Sequence, residues 1–229
     1  MSQEVREALR EVRARVESTD RMLDPGDRTN VAAQLTGADY ISLGALFVAW
    51  GCALLFLRGE PNLALLAMFG AFLLDKADGW YARRTGDSSP FGRRVDSFID
   101  VFAYLVPAAL LYRAFSPHVA ATWIVGFLIL AFGGLRLIRH NEEGFGEDDG
   151  RSYYHGTTVV HTNLVVVANY LLAVLFGWSG WLAGVLVAAA CPLMISNYKA
   201  YKTDASHVLA GVGALVAGGI ALCLKLGYL

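Results

Sequence analysis

Long apolar stretches alternate with short polar ones along most of the chain. From residue 39 onward, successive stretches each approach the roughly 20 residues that an α-helix needs to cross a bilayer. There are seven of them, at about residues 39–58, 61–82, 91–114, 118–139, 157–176, 180–200 and 205–227. The pattern predicts an all-α fold, a polytopic transmembrane helix bundle.

The first 38 residues follow a different pattern. One face of a helix is formed by apolar residues at spacings of four, three and four, namely Val5, Leu9, Val12 and Val16. A turn is expected at residues 24–27, and a weaker interfacial helix at 28–38. We therefore expect an amphipathic arm over residues 1–38, on the cytoplasmic side or at the membrane surface, before one transmembrane domain at 39–229.

Composition supports a membrane protein. Of the 229 residues, 55% are hydrophobic and only 17% are charged, fewer than is usual in a soluble domain. Mean hydropathy is +0.45. The net charge of −1 gives no sign of a nucleic-acid partner, and none is expected.

Lysine and arginine are distributed unequally between the two ends of the predicted helices. With the N-terminus inside, the inner connections carry Arg83, Arg84, Arg93, Arg94, Arg136, Arg139, Arg151, Lys199 and Lys202, and the outer ends carry Arg58, Arg113 and Lys225. Basic residues favour the cytoplasmic side. The bias predicts a multi-pass protein of the cell membrane whose charged end faces the cytoplasm.

A run of charged residues interrupts the apolar pattern between residues 75 and 104. Asp75 and Asp78 are three residues apart, so they share one face of a helix. Asp96 and Asp100 are four apart and share a face of the next helix. Ionised side chains within membrane helices mark function by default.

The segment between the two pairs predicts a short connection between antiparallel helices. Ser88 or Ser89 can cap the second helix, and Pro90 suits its first turn. Gly79 and Gly92 lack side chains, which lets a helix or a ligand approach closely. All four carboxylates are therefore expected at one depth, at one end of the bundle.

Four carboxylates cannot lie together without compensation, because like charges suppress ionisation. Salt bridges are one solution, and Arg83, Arg84, Arg93 and Arg94 are available for them. Hard divalent cations are the other, since carboxylate oxygens suit Mg²⁺ and Mn²⁺. A cation carrier would also use acidic residues, but near the middle of the bilayer and on broken helices. The position of the acids at helix ends favours a metal site over a carrier.

The same residues match a known signature. The run Asp75-x-x-Asp78-Gly79-x-x-Ala82-Arg83, followed after residues 84–91 by Gly92-x-x-x-Asp96-x-x-x-Asp100, resembles that of CDP-alcohol phosphotransferases. The family's six-helix core would cover about residues 39–200 and leave an extra C-terminal helix. The resemblance implies transfer of a phosphatidyl-type group from a CDP-lipid to an alcohol, with release of CMP, and a homodimer.

The resemblance also implies roles for individual residues. Two divalent cations, Mg²⁺ or Mn²⁺, would be bound by Asp75, Asp78, Asp96 and Asp100. Asp100 would also be the catalytic base for the acceptor hydroxyl. The CDP-lipid, CDP-diacylglycerol or CDP-archaeol, would be bound by Gly79, Ala82, Arg83 and Gly92.

Three further runs look like the branch of the family that uses serine. They are Asp96-Ser97-Phe98-Ile99-Asp100, Arg136-Leu137-Ile138-Arg139-His140-Asn141 and Met194-Ile195-Ser196. We therefore expect serine as the acceptor, bound by Ser97, Arg136, Arg139 and Asn141. Residues 153–161 lack the prolines typical of that branch, so inositol phosphate, glycerol phosphate and choline stay open as alternative acceptors.

Overall fold

A computed structural model describes residues 30–86, 89–148, 150–201 and 204–228, and most of these residues are helical. A 3-10 turn, Val31–Gln34, comes first. The helices that follow are α1 (Gly37–Leu57), α2 (Pro61–Thr85), α3 (Pro90–Phe115), α4 (Val119–Glu143), α5 (Val159–Phe176), α6 (Gly180–Ala190, continued by a 3-10 turn at Cys191–Ile195) and α7 (Asp204–Leu226). Each apolar segment of the sequence corresponds to one of these helices, which confirms the predicted fold class. The amphipathic helix predicted before residue 28 lies outside the described residues.

The protein is a multi-pass membrane protein. Within the described residues, α1, α3, α4 and α5 are each long and apolar enough to cross a membrane. Shorter apolar helices are found at Gly180–Ile195 and Gly211–Leu226. Large apolar side chains such as Phe47 and Trp123 are 77% exposed, as expected for surfaces that face lipid.

The α2 helix differs from these spans because its second half is charged. It has 25 residues, and its last three turns carry Asp75, Lys76 and Asp78, followed by two arginines. The apolar part therefore ends near residue 74. One end of α2 is consequently built for polar chemistry and the other for the bilayer.

Small side chains let α1 and α2 pack closely, and this is the most extensive contact between any two described elements. Ala45, Ala49 and Cys52 are almost fully buried on α1, at spacings of four and three. Ala64 and Ala71 are fully buried on α2. Small residues at helical spacing allow membrane helices to approach each other closely. This pairing fixes α1 beside the charged end of α2.

The middle of α3 contains a π-helical turn at Val101–Leu105, directly after Asp100. The N–H of Val106 donates to the carbonyl of Val101, five residues earlier. Pro107 follows; it has no N–H to donate, and its ring would clash with the carbonyl of Ala103 in a regular α-helix. The wider turn relieves that clash, and such turns are frequent at functional sites.

A small antiparallel sheet combines two strands from the polar connection after α4 with a third strand that follows α6. Its strands are β1 (Gly146–Asp148), β2 (Arg151–His155) and β3 (Lys199–Tyr201), in the order β1-β2-β3. Tyr153 pairs with Tyr201 across the sheet, and their ring centroids are 6.0 Å apart. No strand was predicted here, and residues 199 and 200, predicted as the end of the sixth apolar segment, belong to β3 instead.

The sheet is closed by an ion pair and anchored by a glycine. Lys199 Nζ lies 2.5 Å from Asp148 Oδ2, and hydrogen bonds from Lys199 and Tyr201 lower the pKa of Asp148. Gly156, with a φ of 74°, donates its N–H to the Tyr198 carbonyl at 2.6 Å. A Cβ at Gly156 would come within 2.8 Å of the Leu193 carbonyl oxygen. Only glycine fits this junction of the sheet with the end of α6.

Candidate active site

Three of the predicted metal ligands come together between α2 and α3. One carboxylate oxygen from each of Asp75, Asp78 and Asp96 lies within 4.8 Å of the other two. Asp78 is buried, and the other two are half-buried. The helical spacings in the sequence therefore correspond to a real cluster, which we call the carboxylate cluster.

The turn between the helices explains why the two helices meet in this way. Gly86, with a φ of 72°, ends α2 and donates its N–H to the Ala82 carbonyl. The Ser89 hydroxyl caps α3 by accepting the Gly92 N–H at 2.8 Å, and Pro90 occupies the first turn. Of the two serines proposed as caps, Ser89 is the one that caps. Because the connection is so short, the charged ends of α2 and α3 lie side by side.

Asp100 lies one turn further along α3. Its Oδ1 atom is fully buried and has no hydrogen-bond partner among the described residues. Asp75 and Asp96 are close enough for their charges to act on it. An unpaired carboxylate oxygen in a buried site costs free energy, so such a group is retained where a ligand or a proton can reach it.

One lysine and two hydroxyl groups partly compensate the negative charge of the carboxylate cluster. Lys76 Nζ lies 2.8 Å from Asp75 Oδ2, and the Tyr104 hydroxyl donates to the same oxygen at 2.6 Å. Ser42 on α1 donates to Asp78. Within the described residues, none of the four arginines on α2 and α3 forms an ion pair with the cluster. The salt-bridge alternative is thus limited to Lys76.

The donor set fits hard cations. The cluster offers only carboxylate oxygens, the ligands that Mg²⁺ and Mn²⁺ prefer, and its oxygens are close enough together to share an ion. The buried free oxygen of Asp100 extends the same set. A site with one lysine against four carboxylates is undercompensated, which a bound cation would correct.

The glycines of the signature lie where close approach requires them. A Cβ at Gly79 would meet the Arg83 guanidinium at 3.2 Å, so the exposed Arg83 side chain folds back along α2 over that glycine. A Cβ at Gly92 would come 2.8 Å from Asp39 Oδ1. Ala82 is half-buried in the last turn of α2. These four residues, predicted to bind the CDP-lipid, border the cluster on the side of the α2–α3 connection.

Sequence reasoning missed Asp39, Ser42 and Tyr104. Asp39 and Ser42 are buried on α1, each 4% exposed, inside a segment read as simply apolar. Tyr104 is four residues beyond Asp100, so the stripe of Asp96 and Asp100 was a usable signal for it. No periodic pattern in the sequence marks Asp39 and Ser42. Their position near the charged ends of α2 and α3 depends on which helix packs beside α2.

Replacing Tyr104 with phenylalanine tests whether this hydroxyl positions Asp75. In the transfer from a CDP-lipid that the signature implies, we expect CMP release to fall roughly tenfold, the effect of one hydrogen bond to a charged group. The midpoint for activation by Mn²⁺ should rise, since Asp75 would lose a group that orients it. Tyr112→Phe is the matched control, because Tyr112 is a buried tyrosine of the same helix far from the cluster. An unchanged metal midpoint would mean that Tyr104 only fills space.

Arg136 and Arg139 have the same predicted role but differ in their hydrogen bonds. Arg139 donates to the carbonyls of Ile195 at 3.0 Å and His155 at 2.5 Å, and also to those of Met194 and Ser196. It ties α4 to β2 and to the end of α6. A guanidinium engaged in this way links three elements of the fold, and its predicted role in acceptor binding stays a prediction.

Arg136 instead retains hydrogen-bonding capacity. It is 6% exposed, and its Nε has no partner among the described residues. Its guanidinium lies 5.6 Å from the centroid of the Tyr154 ring, and it is near enough to interact with the charge of Asp100. Ser97 is half-buried beside Asp96, while Asn141 is exposed near the end of α4. Arg136 is therefore the best placed of the four predicted acceptor residues.

The fold and the site together define a membrane protein with an acidic centre at one end of its helices, whose carboxylate oxygens suit a divalent cation. The profile of the CDP-alcohol phosphatidyltransferase family matches residues 30–196. The chain belongs to this family. Its signature residues are Asp100 and those that form the carboxylate cluster and its border.

Several curated proteins are similar to the chain. Archaetidylserine synthase of Methanothermobacter thermautotrophicus is 33% identical over 168 residues, which are 72% of this chain and 66% of that protein. CDP-diacylglycerol–serine O-phosphatidyltransferase of Mycobacterium tuberculosis is 26% identical over 73% of the chain and 61% of its own length. The protein of the same name from Methanocaldococcus jannaschii is 33% identical over 48% of this chain and 53% of its own length. The matches thus span between half and two thirds of these relatives.

Proposed function

We propose that this protein transfers a phosphatidyl-type group from a CDP-lipid to the hydroxyl of serine and releases CMP. The observation that carries the proposal is the carboxylate cluster, where Asp75, Asp78 and Asp96 meet at one end of two adjacent helices. The family membership and the names of the serine-using relatives support it.

Two divalent cations, Mg²⁺ or Mn²⁺, held by the four aspartates would neutralise the diphosphate of the donor. The chain's own residues then account for the remaining requirements. Arg83, exposed beside Gly79, supplies a cation for the diphosphate at the mouth of the site. Gly79, Ala82 and Gly92 leave room for the nucleotide along the α2–α3 connection.

Asp100 is the base in this proposal. A carboxylate can accept a proton from the acceptor if an oxygen is free and within reach, and Asp100 Oδ1 is free among the described residues. As the serine oxygen bonds to the lipid-linked phosphorus, the bond from that phosphorus to CMP breaks. The hydroxyl proton passes to Asp100, and CMP departs with the electron pair.

Arg136 binds the carboxylate of serine. A guanidinium forms charge-assisted hydrogen bonds to a carboxylate, and Arg136 is held in place by the Tyr154 ring. The same group suits the phosphate of inositol phosphate or glycerol phosphate, which keeps phosphorylated alcohols as the second candidate. Choline has no anion and would gain nothing from Arg136.

Acceptor-dependent CMP release decides between these alcohols. With purified protein, CDP-diacylglycerol and Mn²⁺, serine should exceed each other acceptor by at least about tenfold, or roughly 1.4 kcal/mol in transition-state binding. Arg136→Leu should lower kcat/KM for serine by about 10–100-fold while CDP-lipid binding persists. Arg151→Leu, an exposed arginine of β2, is the control and should have little effect. A larger rate with a phosphorylated alcohol would contradict serine and leave the transferase proposal intact.

We also propose that the protein lies in the cell membrane with the carboxylate cluster facing the cytoplasm, as a homodimer by family resemblance. The arginine bias supports this orientation, and the two ends of α2 provide the test. After the three native cysteines are replaced, a cysteine at Thr85 should react with a membrane-impermeant reagent only in inverted vesicles. One at Glu60 should react only from outside, because α2 is roughly 37 Å long. The reverse pattern would contradict the orientation.

A further inference from the structure

Asn163 on α5 is a buried amide that the proposed chemistry does not use. It is 5% exposed, and neither its Nδ2 nor its Oδ1 has a hydrogen-bond partner among the described residues. The two polar atoms of one side chain are thus both buried and both unsatisfied. Buried polar groups are normally paired, so an amide like this indicates a missing partner.

The amide borders a cavity of about 30 Å³ among α2, α3, α5 and α7. Phe69 and Phe72 of α2 form one side, and Leu164 of α5 and Ala214 of α7 form another. All four are only half-buried, so these walls lie near the lipid-facing surface. By the same measure one water needs roughly 10–15 Å³, so the space takes a small polar group and the carbon beside it.

The cavity lies directly beyond the carboxylate cluster on the membrane side. Phe72 precedes Asp75 by three residues, and Tyr104, which lines the cavity, follows Asp100 by four. Both offsets are about one helical turn, or roughly 5 Å, away from the charged end of the bundle. The hydroxyl of Tyr104 is already engaged by Asp75, so Asn163 is the lining side chain that offers an open donor.

We propose that Asn163 binds an ester carbonyl of the donor lipid and so selects ester-linked CDP-lipids over ether-linked ones. The inference rests on the proposed function, because it takes the diphosphate to lie at the carboxylate cluster. The chain linkages of a glycerolipid follow its phosphate by a few bonds, which places them at the depth of this cavity. The amide N–H then donates to the carbonyl oxygen, while the apolar walls hold the first methylenes.

Ester and ether linkages differ in how well they accept a hydrogen bond. An ester carbonyl is a strong hydrogen-bond acceptor, whereas an ether oxygen is weaker and is shielded by carbon on both sides. A site built around one amide donor therefore loses a hydrogen bond with an ether lipid. The competing explanation is a trapped water that satisfies Asn163 and contacts no substrate.

Equilibrium binding of CDP-diacylglycerol and of the CDP-dialkylglycerol with matched chains distinguishes these explanations. The measurement uses the whole chain in detergent with Mn²⁺ and without an acceptor, so that no turnover occurs. Binding of CMP is measured as well, because CMP has no lipid part. In the wild type we expect the ester lipid to bind roughly five- to tenfold more tightly, the effect of one hydrogen bond. In Asn163→Leu the two lipids should bind equally, with CMP affinity unchanged.

Thr162→Val is the matched control. Thr162 is also buried with a hydroxyl unpartnered among the described residues, but it does not line the cavity, so the ester preference should persist. Equal affinities for ester and ether lipids in the wild type would overturn the inference even if Asn163→Leu failed to fold. Absence of binding by CMP and by both lipids would overturn the proposed function as well. Binding of CMP without an ester preference would overturn this inference alone.

Discussion

Asp96→Asn is expected to reduce CMP release from a CDP-lipid by more than about 100-fold, with the protein still inserted in the membrane and purified in normal yield. Loss of a group that merely orients a metal ligand costs about 10–100-fold, so loss of a ligand should cost more. Asparagine keeps the shape of the side chain but removes the charge. The same result is expected for Asp75→Asn and Asp78→Asn, because all three oxygens belong to one cluster.

The measurement is CMP release at saturating serine, titrated with Mn²⁺ and repeated with a chelator. Asp148→Asn is the control, since Asp148 is an aspartate bound to Lys199 in the sheet, outside the cluster. Activity of that variant should stay near the wild-type level. Substantial activity in all three cluster variants would rule out the two-cation proposal.

Asp100→Asn should separate binding from turnover. We expect kcat to fall by about 10²–10⁴, the usual contribution of a positioned general base, while CDP-lipid binding changes only a few-fold. Asp96→Asn, in contrast, should weaken both. The contrast is expected because the Oδ1 of Asp100 is free to accept a proton, whereas Asp96 lies within the cluster.

A pH profile of the residual activity provides the second readout for Asp100. The wild-type rate should decline on the acidic side as the base becomes protonated, and the variant should lose that decline. If binding and turnover fall equally in Asp100→Asn, the residue is a metal ligand and the proton goes elsewhere.

Most of what could be predicted about this site follows from the intervals between the aspartates along the sequence. Intervals of three and four residues place two carboxylates on one face of each helix, and a short capped connection makes those faces neighbours. Ser89 and Pro90 mark that connection in the sequence itself. For the same reason the helices were predictable, since apolar length depends on the chain alone.

Contacts between distant segments could not be predicted in this way. Ser42 reaches Asp78 only because α1 packs beside α2, and Arg139 engages carbonyls more than fifty residues away in the chain. The sheet pairs residues of β2 with residues of β3, and such short strands have no periodic pattern to reveal them. The two arginines of α4 look alike in sequence and differ only in what surrounds them.

The π-turn at Val101–Leu105 has a consequence for comparing this chain with its relatives. The turn holds one residue more than an α-helical turn would, so the segments on either side of it are offset by roughly 100° of helical rotation. A relative without the wider turn must be aligned with a one-residue gap inside these five positions. Aligned without the gap, its aspartates would still match Asp96 and Asp100, but its lipid-side residues would be paired with the wrong partners from Val106 to Phe115. A family tree calculated from Val106–Phe115 would then reflect this alignment error and not the true sequence divergence.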